Sequence, residues 1–272
     1  MGRTAFVLGG GGLLGAVEVG MLRALFERGI SPDLILGTSV GALNGLVVAA
    51  DPTPRSVDRL LDLWADVAES NEVYADPTWK QLRRAMRTGT HLHSAQPLRD
   101  RLEAEFGGTT FADLAVPFQC CAASIEQAAE HWFTSGPVVP AVIASAAVPG
   151  LLPPAEVDGE HYLDGGIVNS IPVGRAVELG ADQVFVLQVG RVERPLSPPR
   201  RPWDVARVSF EIARRHRFNR EMAELPDGVR VHLLPSAVSA ADDRFRAYRD
   251  TSAVAERVEA AYRASAERLA EL

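Results

Sequence analysis

Within its first fifty residues the chain writes one pattern twice: a short apolar run, a glycine-bearing turn, and a stretch with helical spacing. Ala5-Phe6-Val7-Leu8 runs into Gly9-Gly10-Gly11-Gly12, and Ala16–Arg28 follows with apolar residues at Val19, Leu22, Ala24, Leu25 and Phe26 before Gly29. Asp33–Leu36 then leads through Gly37-Thr38-Ser39 into the helical stretch Val40–Ala50. Strands that alternate with helices must cross over between parallel neighbours, and the crossovers cover the sheet faces. The expected fold class is therefore α/β, a mostly parallel central sheet with helices on both faces.

Later segments extend the pattern. Pro117–Ile125, Gly159–Leu163, Gln183–Val189 and Val229–Leu234 read as further strands. Between the two halves, Asp51-Pro52-Thr53-Pro54 breaks the chain, and Arg55–Glu69, Trp79–Thr88 and Pro97–Phe106 follow with helical spacing. Residues 51–105 thus read as a helical insertion over the sheet. Pro195–Pro202 reads as a stiff surface linker, and Trp203–Leu225 and Phe245–Leu272 as closing helices. A chain of 272 residues accommodates this as one domain.

Gly37-Thr38-Ser39-Val40-Gly41 fits G-x-S-x-G, and it lies between an expected strand and an expected helix. That context is the nucleophile elbow, a sharp turn that exposes a serine hydroxyl above the sheet edge. Gly37 and Gly41 allow close approach of strand and helix, and the helix N-terminus faces developing negative charge. The glycine run answers a second requirement of acyl transfer. A tetrahedral oxyanion needs preorganised donors, and the backbone N–H groups of Gly10, Gly11 and Gly12 can converge with no Cβ in the way. Asp164, followed by Gly165 and Gly166, closes another expected strand and could project a carboxylate over the same edge.

Gly10, Gly12 and Gly15 also spell the dinucleotide fingerprint G-x-G-x-x-G. That fingerprint wants an acid at the end of the second strand, whereas Asp33 stands at its start. A Ser-His-Asp triad in hydrolase order would draw on His216 or His232. His232 reads more simply as a strand residue, His161 as a flank of Asp164, and His91-Leu92-His93 as a surface loop with no third metal ligand nearby.

In this order the motifs resemble the patatin-like phospholipase family. The resemblance spans about 5–190. It is carried by the glycine loop, by Gly37-Thr38-Ser39-Val40-Gly41-Ala42-Leu43-Asn44, by Ala144-Ser145 with Pro149, Pro153 and Pro154, and by Asp164-Gly165-Gly166 running on to Pro172-Val173. It implies a three-layer patatin-like fold and hydrolysis of lipid carboxylic esters by a Ser39–Asp164 dyad. In such a dyad Asp164 takes the serine proton directly, and Gly10–Gly12 form the oxyanion hole. No EF-hand-like carboxylate run occurs in the sequence, so no metal or cofactor is expected. One departure stands out. The family usually carries Arg or Lys just before the last glycine of the first motif, and here that position is Leu14.

Composition narrows the partners. A net charge of −7 argues against a general nucleic-acid binder. Residues 194–220 nonetheless hold eight arginines against Asp204 and Glu211, a local basic region that could touch an anionic lipid surface. Trp64 and Trp79 could line an acyl cleft or pack the insertion. No signal-peptide pattern and no apolar stretch long enough to span a bilayer is present, so a cytoplasmic protein, peripheral at most to a membrane, is expected. Cys120 and Cys121, adjacent on an expected strand, point to opposite faces and are expected to be reduced and buried.

Overall fold

The computed structural model describes residues 2–70, 90–190, 195–199, 202–237 and 253–272. The expected helix Trp79–Thr88 and the start of the expected helix Phe245–Leu272 lie outside the described residues.

One eight-stranded sheet organises the chain. Its strands are β1 (Thr4–Leu8), β2 (Leu34–Thr38), β3 (Phe118–Ser124), β4 (Ala129–Phe133), β5 (Ala155–Val157), β6 (Glu160–Asp164), β7 (Gln183–Leu187) and β8 (Arg230–Leu234). The run β3-β2-β1-β7-β8 is parallel throughout. The remaining pairings, β3 with β4, β3 with β6, and β5 with β6, are antiparallel.

Helices α1 (Val17–Glu27), α2 (Val40–Ala50), α3 (Pro54–Ser70), α4 (Gln96–Phe106), α5 (Val138–Ser145), α6 (Val173–Glu178), α7 (Pro202–Ala223) and α8 (Val254–Ala270) cover the sheet. Strand periodicity decides which core each side chain joins. Phe6 and Leu8, Ile35, Phe118, and Phe185 and Leu187 face a large cluster filled from α1, α2, α3, α4, α5 and α8. Their alternates Ala5 and Val7, Leu34 and Leu36, and Val184 and Val186 face a smaller cluster closed by α6 and by Phe218 of α7. The result is three layers with apolar residues on both sheet faces, as a parallel sheet requires.

Local differences from the expected elements have local causes. The glycine loop passes through a 3-10 turn, Gly12–Ala16, before α1 begins. Helix α5 begins Val138-Val139-Pro140, a β-branched run that reads as a strand, yet Pro140 falls in the first turn where its missing N–H costs nothing. The hairpin from β3 to β4 turns through Ala128 at φ 49°, without the glycine or asparagine that usually marks such a turn. Cys120 and Cys121 are free and buried in β3.

The arrangement of β2 and β6 matters most for the site. Strand β3 pairs β2 through residues 118–121, β4 through 120–124 and β6 through 122–124. Because β4 competes with each of the other two for the same residues, it occupies one edge of β3, and β2 and β6 share the other. They run toward each other along that edge. Thr38 ends opposite Cys121, and Asp164 ends opposite Ala122. The two strands therefore stop one residue apart in register.

Candidate active site

Ser39 follows the last residue of β2 and caps α2 with φ 57° and ψ −123°. A non-glycine residue at positive φ is strained, and such strain collects at functional turns. Neighbouring glycines make the turn possible. A Cβ on Gly37 would lie 2.5 Å from the Gly41 carbonyl oxygen, and one on Gly41 would lie 2.2 Å from that of Leu8. The Ser39 N–H donates to Ser145 Oγ at 2.9 Å, and Ser145 Oγ donates to the Cys121 carbonyl at 2.6 Å. Ser145 thereby ties the elbow to β3. It lies in the Ala144-Ser145 motif, but sequence alone assigned it no role.

Asp164 arrives from the other side of the strand junction. Its Oδ2 accepts a hydrogen bond from Ser39 Oγ at 2.5 Å. Its Oδ1 accepts the Gly166 N–H at 2.8 Å, which fixes the carboxylate rotamer and leaves Oδ2 aimed at the serine. Gly165 threads between the strand ends, where a Cβ would meet the Cys121 carbonyl oxygen at 2.1 Å and Thr38 Cγ2 at 3.1 Å. Thr38 Oγ1 donates to the Asn169 carbonyl at 2.9 Å and clamps the two segments together. Both partners are buried, Ser39 at 6% and Asp164 at 2% exposure. Burial pushes the Asp164 carboxyl up to about 6, against the opposing effect of the hydrogen bonds from Ser39 and Gly166.

The expected oxyanion donors divide. The Gly10 N–H is spent on the Ser170 carbonyl at 3.1 Å, so Gly10 is not an available donor, contrary to the expectation from sequence. A Cβ there would lie 3.2 Å from Ser170 Oγ. Gly12 lines the same cavity as Ser39, which leaves Gly11 and Gly12 as the loop's candidates. Gly15 packs on the elbow helix, where its Cβ would lie 2.3 Å from Val40 Cγ2.

That cavity, about 190 Å³, has Ser39 in its lining and runs between α2, α3 and α4. Leu43, Leu60, Trp64, Leu102, Phe106 and Leu152 make its wall largely apolar. Trp64 thus both lines the cavity and anchors a buried chain: its Nε1 donates to Asn44 Oδ1 at 3.2 Å, and Asn44 Nδ2 donates to Glu18 Oε2 at 2.7 Å and to the Gly15 carbonyl at 3.1 Å. Complete burial holds the Glu18 carboxyl well above the usual carboxylate range. Nothing in the sequence singled out Glu18, because one acid inside an amphipathic helix reads as surface.

None of the six histidines hydrogen-bonds to Ser39 or Asp164. His161 lies on β6 three residues before Asp164, exposed and bound to Glu126 at 2.7 Å. His216 is exposed on α7, and His232 stacks on Phe185 at 4.8 Å in β8. His93 is buried, with its backbone N–H on the Leu151 carbonyl at 2.8 Å, which corrects the reading of that segment as a surface loop. The basic region is largely neutralised where described: Arg214 and Arg215 face Glu211, and Arg217 faces Glu221 and Glu130. Among the described residues no helix is long and apolar enough to cross a membrane.

A family model described as Patatin-like phospholipase matches residues 6–177. The chain is 34% identical over 195 residues to a patatin-like phospholipase domain-containing protein of Caenorhabditis elegans, covering 69% of this chain and 14% of that protein. It is 32% identical over 198 residues to a lysophospholipase of Aspergillus terreus, covering 70% of this chain and 12% of that protein. Across the first eight curated relatives it spans 10 to 16% of their length. Among solved structures, VipD of Legionella pneumophila aligns over 99% of this chain and 67% of that one, at 16% identity and a TM-score of 0.48.

Proposed function

The chain belongs to the patatin-like phospholipase family, and on that premise we propose that it hydrolyses carboxylic esters of lipids through an acyl-enzyme on Ser39, with Asp164 as proton acceptor. We read the whole chain as one hydrolase domain. The observation that carries the chemistry is the 2.5 Å hydrogen bond to Asp164 Oδ2 from the Oγ of Ser39, which lines an apolar cavity.

A carboxylate with its ordinary affinity for protons is a weak base toward a serine hydroxyl. One pushed up to about 6 is still ionised at neutral pH and accepts a proton more readily. As Ser39 Oγ attacks the acyl carbonyl, its proton passes to Asp164 Oδ2. The oxyanion forms beside the N-terminus of α2 and the Gly11–Gly12 segment, whose N–H groups are its donors. Collapse of the tetrahedral species expels the alcohol, which takes the proton from Asp164. Water then repeats the sequence on the acyl-enzyme, with Asp164 accepting its proton. The apolar wall takes the acyl chain. At about 0.8 kcal/mol per buried methylene, each added carbon raises kcat/KM about fourfold until the cavity is full.

The lysophospholipase name of one relative suggests a single-chain lipid. The test is a series of p-nitrophenyl esters of rising chain length beside lysophospholipid, with Ser39→Ala as control and a fluorophosphonate probe for the nucleophile. Labelling of Ser39 and loss of all turnover in Ser39→Ala are expected. A purified Ser39→Ala protein with wild-type turnover ends the proposal.

A further inference from the structure

Helix α7 buries an arginine against two residues that touch the glycine loop. Arg214 is 3% exposed, and the carboxylate that faces it, Glu211 at 3.4 Å, also serves Arg215 at 3.2 Å. A guanidinium out of water is costly unless its donors find acceptors. Here Nη2 donates to the Val189 carbonyl at 2.5 Å, and Nε donates to Ser170 Oγ at 3.1 Å.

Both acceptors belong to residues that flank the loop. Ser170 holds the Gly10 N–H through its own carbonyl, and its Oγ would lie 3.2 Å from a Cβ at Gly10. Val189 presses on the next residue, where a Cβ at Gly11 would lie 2.3 Å from Val189 Cγ1. One turn earlier on the same face of α7, Phe210 packs on Gly166, whose Cβ would lie 2.5 Å from the ring. Helix α7 thus touches the segment beyond Asp164 and the supports of the glycine loop together. The Arg214 charge also acts on Glu18, one residue beyond the 3-10 turn and Val17.

We propose that Arg214 is a positioning residue for the oxyanion loop: from α7 it locks Ser170 and Val189 around Gly10 and Gly11. The inference rests on the serine-hydrolase reading. Oxyanion donors act within a few tenths of an ångström, so a loop freed on its outer side loses transition-state stabilisation before it loses substrate binding.

The experiment compares Arg214→Met and Arg214→Lys with wild type on one soluble p-nitrophenyl ester. It also measures inhibition by an alkyl trifluoromethyl ketone, which adds to the serine as a tetrahedral mimic, and by a fatty alcohol of equal length, which fills the cavity only. In Arg214→Met, kcat should fall about 10- to 100-fold with KM within about threefold, and ketone affinity should fall with kcat while alcohol affinity holds. Arg214→Lys, which keeps the charge without the planar fork, should fall between. A folded Arg214→Met with kcat and ketone affinity within about twofold of wild type, or with ketone and alcohol affinities lost in equal measure, overturns the proposal. If Arg214→Met does not fold, Arg214→Lys and Ser170→Ala decide by the same criteria. Fluorophosphonate labelling of wild-type Ser39 separates the two levels. An unlabelled wild type ends the hydrolase reading and this inference with it, and a labelled wild type with unaltered variants ends this inference alone.

Discussion

Replacing Asp164 by Asn should kill the activity and strengthen the fold, and the second effect should depend on pH. In the folded chain the Asp164 carboxyl is held at about 6 against an ordinary 3.8, chiefly by burial. Between those values the folded state keeps a proton that the unfolded state releases, so stability falls as pH rises through the window. Integrated across it, ionised Asp164 costs the fold about 3 kcal/mol at pH 8 and about 1 kcal/mol at pH 4.5. Asn carries no charge and keeps an acceptor for the Gly166 N–H, now 2.8 Å from Oδ1. Its amide can donate to Ser39 Oγ in place of accepting from it. The gap in unfolding free energy between Asp164→Asn and wild type should therefore widen in the variant's favour by about 2 kcal/mol from pH 4.5 to pH 8. Urea unfolding at the two pH values reads it directly. Hydrolysis should fall by about 10²–10⁴, the usual worth of a general base. A gap that does not change with pH means the carboxylate is not desolvated, and the account of its basicity fails. An Asn variant that keeps turnover removes Asp164 as the base.

The pH profile of kcat/KM on a soluble ester should rise with an apparent midpoint near 6, because Asp164 must be ionised to act; a midpoint near 4 would place the carboxylate in water. His161→Ala, His216→Ala and His232→Ala should each keep most of the turnover, since none of these rings bonds to Ser39 or Asp164. A folded histidine variant as inactive as Ser39→Ala would replace the dyad with a triad. Gly165→Ala should cost at least about tenfold in kcat/KM and about 1–3 kcal/mol in stability, because its Cβ would sit 2.1 Å from a β3 carbonyl oxygen. Wild-type values in both measurements would show that the strand junction is looser than described.

Much of the frame is legible in the sequence because it is written in local pattern. Apolar runs closed by glycines give β1, β2 and their helices, and the strand-turn-helix context marks Ser39. What is not legible depends on partners distant along the chain. The Gly10 N–H is taken by Ser170, and no spacing near the glycine run announces that acceptor. Arg214 is one of several arginines in a basic stretch, and only packing shows that it turns inward. The β3–β4 hairpin hides because Ala128 makes the left-handed turn. Helix α5 hides because its residues favour strands and only burial in the large core overrides them.

The meeting of β2 and β6 on one edge of β3 makes that strand the gauge for the reacting pair. Ser39 and Asp164 lie 125 positions apart, yet their separation is set by the one-residue step from Cys121 to Ala122. The helices α3 and α4 that wall the cavity are looped out between them and hold neither end of that step, whereas Ser145 of α5 does. Grafting another pair of helices in place of α3 and α4, with Trp64 kept for its bond to Asn44, is thus a way to exchange the acyl group this scaffold accepts while leaving its proton transfer as it stands.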